Sequence, residues 1–229
     1  MKRGFVVKQG KVYLLLLLVL LSIQVALAAD EREIENPLKD GAIKKRIALT
    51  FDDGPNREAT PRILATLEKH QVKATFFIVG WRVYSFKDQI LQIARDGHDI
   101  GNHSYDHPYL NKLKREEIEE QLNNTNLAVK KVTGMDIKIY RPPYASYDER
   151  VLSIGNDLNM QLILWTINPE DWRSPGAEKI IKRIVGNAQD GSIVLLHDKK
   201  QTADALPKLI LSLKEKGFEF VTISELLRI

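Results

Sequence analysis

The chain has no cysteine among its 229 residues. No disulfide framework and no thiolate metal site are therefore available, and any bound metal must be held by histidine and carboxylate. Net charge is also missing from the body of the chain. Four of the 34 Lys and Arg residues, Lys2, Arg3, Lys8 and Lys11, precede residue 29 and no acidic residue does, which leaves 30 basic against 30 acidic side chains. A formally neutral body gives no electrostatic reason to expect nucleic acid or an acidic polymer as partner. Internal repeats are absent, and the one long apolar run lies at the N-terminus. With 44% hydrophobic and 28% charged residues, the composition excludes both a disordered chain and a polytopic membrane protein.

What is present begins with that run. Basic residues precede an apolar stretch from Val12 to Ala29, broken only by Tyr13, Ser22 and Gln24. Ala26-Leu27-Ala28 ends it with the small residues a signal peptidase requires, which favours cleavage after Ala28. The stretch is also close to the roughly 20 residues that span a bilayer, so residues 1–28 read as a signal peptide or an N-terminal membrane anchor. Both place the body outside the cytoplasm, as an extracellular, wall-associated or anchored protein that meets a membrane only through this segment if it is uncleaved. Residues 29–45, with Pro37 and Gly41 and no apolar periodicity, read as a linker. Residues 46–229 are long enough for one domain with a full core.

Within that domain short apolar runs alternate with amphipathic stretches. Strands are expected at Ile47–Phe51, Ala74–Val79, His98–Gly101, Ile137–Tyr140, Leu162–Trp165, Ser192–Leu196 and Phe218–Val221. Helical spacing is carried by Ile63, Leu64 and Leu67, by Ile90, Leu91, Ile93 and Ala94, and by Ile180, Ile181, Ile184 and Val185. It recurs at Leu206, Leu209, Ile210 and Leu213, while Ile118, Leu122, Leu127 and Val129 mark a long polar helix. Strands alternating with helices imply βαβ units, and about seven of them imply an α/β fold of parallel strands closed as a barrel, with functional residues at strand C-termini.

Five segments at such ends carry polar chemistry. Phe51-Asp52-Asp53-Gly54-Pro55 sets two adjacent carboxylates at the end of the first strand. Asp-Gly-Pro is also ordinary turn chemistry, and for this segment alone both readings stand. His103 and His107, four residues apart, can converge on one cation, though the spacing is unspecific by itself. His70 and His98 are read as structural, His70 because it ends a helix, where a partly positive imidazole is favourable. Arg141-Pro142-Pro143-Tyr144 follows a strand, and its prolines fix the backbone that presents Arg141 and the Tyr144 amide. Asn168 to Trp172 and Leu195-Leu196-His197-Asp198 complete the set.

Together these segments resemble the polysaccharide deacetylase family, also called the NodB homology domain or carbohydrate esterase family 4. The family pattern T-F-D-D-G, H-[ST]-x-x-H, R-x-P-[YF], D-x-x-D-W and L-x-H is matched in order by Thr50 to Gly54, His103 to His107, Arg141 to Tyr144, Asn168 to Trp172 and Leu195 to His197. The resemblance spans about Arg46 to Ile229 and implies a distorted (β/α) barrel. It implies that Asp53, His103 and His107 bind a divalent metal, usually zinc, and that Asp52 is the general base. It implies further that Arg141 holds Asp52, that Tyr144 offers its backbone N–H to an oxyanion, that Asp171 orients His197 as general acid, and that Trp172 and Leu195 wall the acetyl pocket. Two positions depart from the pattern: Asn168 replaces an acid, and Ala145 stands where glycine is frequent. A hydrogen bond that needs a carboxylate at 168 is thereby put in doubt.

The implied activity is hydrolysis of N-acetyl groups on an N-acetylglucosamine-containing polysaccharide, with peptidoglycan expected first and chitin-type oligosaccharides second. A xylan O-acetyl esterase would use the same residues, and an exported glycan-binding module without chemistry is the non-enzymatic alternative. That all the base, acid and metal positions are filled argues against the latter. No protein partner is implied.

Overall fold

The computed structural model describes residues 45–229. The expectations of an export or anchor segment at 1–28 and of a linker up to residue 44 lie outside them. Among the described residues no helix is long and apolar enough to cross a membrane.

All seven expected strands form: β1 (Lys45–Gly54), β2 (Thr75–Ile78), β3 (Asp99–Asn102), β4 (Ile139–Tyr140), β5 (Gln161–Leu162), β6 (Ser192–His197) and β7 (Phe218–Phe220). Every pairing is parallel, in the order β5-β4-β3-β2-β1-β6. An isolated parallel bridge between Ile167 and Val194 joins the segment after β5 to β6. β7 pairs with the first residues of β1, and because Ile47 registers with both Ser192 and Phe220, β6 and β7 lie along opposite edges of β1. Lys45, assigned to the linker by its polarity, already belongs to β1 through its pairing with Phe218.

β1 organises the rest because it is buried from Ile47 to Asp52, as expected of a parallel strand covered on both faces. Its side chains alternate between two apolar clusters. Ile47, Leu49 and Phe51 join the large cluster beneath the helices, whereas Ala48 joins Phe77, Ile139 and Ile163 in the barrel interior, closed at one end by Val221, Ile223 and Leu226. Period-2 alternation therefore points Thr50 and Asp52 inward along with Ala48.

The five expected helices are α1 (Ala59–Lys69), α3 (Lys87–Arg95), α4 (Arg115–Thr133), α6 (Ala177–Asn187) and α7 (Lys200–Glu215). Each buries its apolar stripe, Ile63, Leu64 and Leu67 in α1 for example. In α4 the buried positions are Ile118, Leu122, Thr125, Ala128 and Val129, and Leu127 faces outward, 64% exposed. Three further helices were not expected: α2 (Arg82–Ser85), α5 (Glu149–Asp157) and α8 (Ile223–Leu227). β5 is also shifted, ending at Leu162 where a strand to Trp165 was expected. The carbonyls of Ile163 and Leu164 accept hydrogen bonds from Arg141 Nε (3.1 Å) and Nη2 (3.0 Å), so these carbonyls serve a side chain instead of a neighbouring strand.

Candidate metal centre and its cleft

Strand register does the first part of the assembly. Asp52 at the end of β1 is the direct partner of His197 at the end of β6, so two residues 145 positions apart stand side by side at the C-terminal rim. β3 ends next to β2, where the His103 N–H donates to the Ile78 carbonyl (2.9 Å), and β4 delivers Arg141, whose N–H donates to the Asn102 carbonyl (2.9 Å).

Arg141 is fully buried and spends its guanidinium on fixed acceptors. Nη1 donates to Asp52 Oδ1 (2.7 Å) and to Thr50 Oγ1 (2.8 Å). The Thr50 hydroxyl in turn donates to the Val194 carbonyl (2.7 Å), and the guanidinium lies 4.1 Å from the Phe77 ring centroid. Burial pushes the Arg141 pKa down and Asp52 opposes that. A buried pair of this kind is costly to break from one side, about 3–5 kcal/mol, because the remaining charge is left without compensation. The result is one Asp52 oxygen held by Arg141 and the other, Oδ2, 3.8 Å from His103 Nε2.

Asp53 sits at an irregularity near the end of β1 with φ 70°, which turns its carboxylate away from its neighbour's. Its Oδ1 lies 3.0 Å from His107 Nε2 and 3.5 Å from His103 Nε2. The donor atoms of Asp53, His103 and His107 all fall within 4.8 Å of one another. Asp53 Oδ1 is buried and makes no well-formed hydrogen bond. Burial opposes its ionisation, but His103 and His107 outweigh that and hold the carboxyl well below the usual carboxylate range. His103 Nδ1 lies 2.6 Å from the Arg141 carbonyl. A proton on Nδ1 satisfies that oxygen and leaves the Nε2 lone pair facing Asp53. One carboxylate and two imidazoles with their lone pairs converging, one oxygen among them unpartnered, fit a divalent cation with further positions open.

Across the cleft, Asp171 is fully buried in a short 3-10 turn, Asp171–Arg173. Its Oδ1 is 2.8 Å from His197 Nδ1, and its Oδ2 accepts from the His197 N–H (2.7 Å) and the Thr202 hydroxyl (2.7 Å). Burial pushes His197 toward its neutral form, yet the hydrogen bond and charge of Asp171 dominate and its pKa lies above the ordinary imidazole value. With Nδ1 committed to Asp171, Nε2 is the nitrogen left for the cleft.

All ten residues expected at the site are brought to one place. Eight of them, Asp52, Asp53, His103, His107, Tyr144, Trp172, Leu195 and His197, line a single cleft of about 770 Å³, with Arg141 and Asp171 buried behind it. Asn168 also lines it, and its Oδ1 accepts the Glu170 N–H (2.8 Å), so at this position the side chain closes a turn that an amide serves as well as a carboxylate. His98 is buried, accepts the Ala74 N–H at Nδ1 (3.2 Å) and is pushed down to about 4 by burial and by Lys73, which suits the structural role expected of it. His70 caps the end of α1 through its N–H to the Thr66 carbonyl (3.1 Å).

Sequence reasoning passed over Tyr109, Trp165 and Lys199, which also line the cleft. Asp198, which closes the fifth segment but was given no role, is buried with its carboxyl pushed up to about 6 by desolvation. Tyr109 and Lys199 each stand two residues beyond a site histidine, the one sequence signal that could have drawn attention to them.

The polysaccharide deacetylase family model matches residues 39–163. A peptidoglycan-N-acetylglucosamine deacetylase of Bacillus cereus is 38% identical over 191 residues, 81% of this chain and 89% of that protein. The peptidoglycan-N-acetylglucosamine deacetylase PgdA of Listeria monocytogenes is 42% identical over 80% of this chain but 39% of its own length, so the chain spans about two fifths of that relative. The solved structure of the peptidoglycan deacetylase PdaC from Bacillus subtilis superposes with a TM-score of 0.77 at 36% identity, over 81% of this chain and 91% of that one.

Proposed function

The chain belongs to the polysaccharide deacetylase family, and from that premise we propose that it is a metal-dependent N-deacetylase of N-acetylglucosamine-containing polysaccharide, with peptidoglycan as its substrate. The observation that carries the reading is the joint geometry of the cleft. Three metal-competent donors lie within 4.8 Å of one another, and strand register sets a carboxylate held by Arg141 beside an imidazole held by Asp171. The names of the relatives support the polymer.

Asp53, His103 and His107 would hold the cation, which when bound supplies Lewis acidity toward water and the acetamide oxygen. The chain's own groups do the proton work. Asp52, with Oδ1 fixed by Arg141, takes the proton of the attacking water on its other oxygen. His197, kept protonated by Asp171, gives a proton to the departing nitrogen, so that an amide and water become an amine and acetate. The Tyr144 backbone supplies an oxyanion donor. None of the hydrogen bonds among the described main-chain groups uses its N–H, and an aimed donor of this kind lowers the barrier by about 3 kcal/mol. Leu195, buried at the end of β6, and Trp172, 44% exposed, form the apolar wall for the acetyl methyl. Export by residues 1–28 belongs to the same proposal, since the polymer lies outside the membrane.

The test is a substrate panel for the zinc-loaded full chain: purified peptidoglycan, chitin oligomers and acetylated xylan, scored for acetate and for new primary amine. Acetate with equal amine from peptidoglycan is the expected result. Acetate from xylan alone, with no amine, would replace the proposal by an O-acetyl esterase.

A further inference from the structure

The two imidazoles of the candidate centre are gripped differently on the nitrogen that faces away from Asp53. His103 Nδ1 has a main-chain acceptor, the Arg141 carbonyl at 2.6 Å, deep in the barrel. His107 leaves β3 altogether, with φ 64° and its N–H donating to Ser104 Oγ (3.1 Å). The neighbour of its Nδ1 is a side chain, the Tyr144 hydroxyl, at 3.1 Å. A cation can bind only the unprotonated nitrogen, so with Nε2 turned to Asp53 the proton sits on Nδ1 and is donated to Tyr144 Oη. That hydrogen bond selects the tautomer and fixes the ring plane of His107.

Tyr144 is itself held on both sides. Its ring meets the His107 imidazole edge-on, with centroids 4.8 Å apart and planes at 72°. It also stacks on the Tyr109 ring at 4.1 Å and 16°. Tyr144 has φ 58°, a left-handed conformation that costs a β-carbon-bearing residue about 1 kcal/mol or more and persists only where the surroundings demand it. Both tyrosines are more than half exposed, so neither is there to fill the core.

We propose that Tyr144, braced by Tyr109, is a positioning residue for the metal ligand His107, and that this pair sets the affinity of the Asp53–His103–His107 centre for its cation. The inference rests on the reading that those three residues hold a metal, and it is independent of which polymer is the substrate. Tyr144 would thus serve the site through its side chain as well as through its backbone N–H. The aromatic pair couples the cleft wall, where a sugar would lie, to the geometry of the centre.

The measurement is Zn²⁺ affinity of the metal-free full chain, by competition with a chromogenic chelator and without substrate. Tyr144→Phe keeps the stack and removes one oxygen, and its Kd rises roughly 10- to 100-fold, the usual cost of losing an outer partner of a ligating histidine. Tyr109→Phe keeps the stack and leaves Kd unchanged, whereas Tyr109→Ala, at an exposed position, raises it by less than Tyr144→Phe does. Nitrogen NMR of the histidine side chains gives a second readout: the zinc-loaded wild type holds His107 as the single Nδ1–H tautomer, and Tyr144→Phe mixes tautomers in the metal-free state. Wild-type affinity in Tyr144→Phe with an unchanged melting curve would overturn the positioning role alone. A wild-type chain that binds no Zn²⁺ would overturn both this role and the metal centre.

Discussion

Two neighbouring carboxylates, Asp52 and Asp53, receive different partners because one backbone angle separates them. Asp52 continues the inward alternation of β1 and meets Arg141, while the positive φ of Asp53 swings its carboxylate to the two histidines. Asp52→Asn should therefore retain zinc affinity and lose turnover by roughly 10²- to 10⁴-fold, and acetate assays beside chelator titrations of the same preparation check both halves. The acid side makes a pH prediction. The His197 pKa is raised, so as the proposed donor it should stay protonated above the ordinary imidazole range, and the rate should fall only as pH climbs through that raised value. Asp171→Asn removes the group that raises it, and the alkaline limb of the kcat profile should move to lower pH. An unmoved limb would detach that limb from His197. Asp198 is a buried carboxyl whose folded pKa, about 6, exceeds its ordinary value of 3.8. The folded state thus holds this proton more tightly than the unfolded state, and stability falls as pH rises from about 4 through about 6. Asp198→Asn, which can still accept from Thr60 Oγ1, should gain up to about 3 kcal/mol over wild type at pH 8 and little at pH 4, as read by denaturant unfolding at both pH values.

At the scale of elements, the strands that build the rim were legible because each is an apolar run ending in polar residues, and the five expected helices because they bury a regular stripe. β5 was misplaced for a reason no local pattern carries: Ile163 and Leu164 are apolar enough for a strand, but their carbonyls are claimed by an arginine more than twenty residues earlier. α5 and α8 lack a long stripe, yet both announce themselves by their caps. Asp148 accepts the N–H groups of Arg150 and Val151, and Thr222 forms a reciprocal pair with Glu225. The ten candidate residues gathered at the cleft were legible as a group because five motifs occur in order. The Tyr109–Tyr144–His107 stack was not, since it depends on a left-handed backbone at Tyr144 and on contacts between residues 35 and 37 positions apart. Close packing between strands yields a further prediction. A β-carbon on Gly101 of β3 would collide with the ring of Phe77 in β2, the ring that lies against the Arg141 guanidinium. Gly101→Ala should cost about 1–3 kcal/mol of stability and reduce turnover more than metal affinity, because Phe77 supports the Arg141–Asp52 pair and not the ligands.

Across the whole molecule, parallel pairing aligns the C-terminal ends of β1, β3, β4 and β6 at one rim, and that alignment gathers residues spread from Asp52 to His197 into a single cleft. With no cysteine to staple the chain, a ligand that binds only the folded state becomes a direct source of stability, worth about 2.7 kcal/mol at a hundredfold excess over Kd. A chelator should lower the melting temperature of the zinc-loaded protein, and His107→Ala should abolish that difference. The central claim, that one cation at Asp53, His103 and His107 turns this rim into a deacetylase, is tested most directly by titrating Zn²⁺ into the metal-free full chain while following acetate release from N-acetylglucosamine oligomers. Activity should be absent without metal, rise with added zinc and level off at one equivalent per chain. Acetate release that is undiminished in excess chelator would contradict that claim.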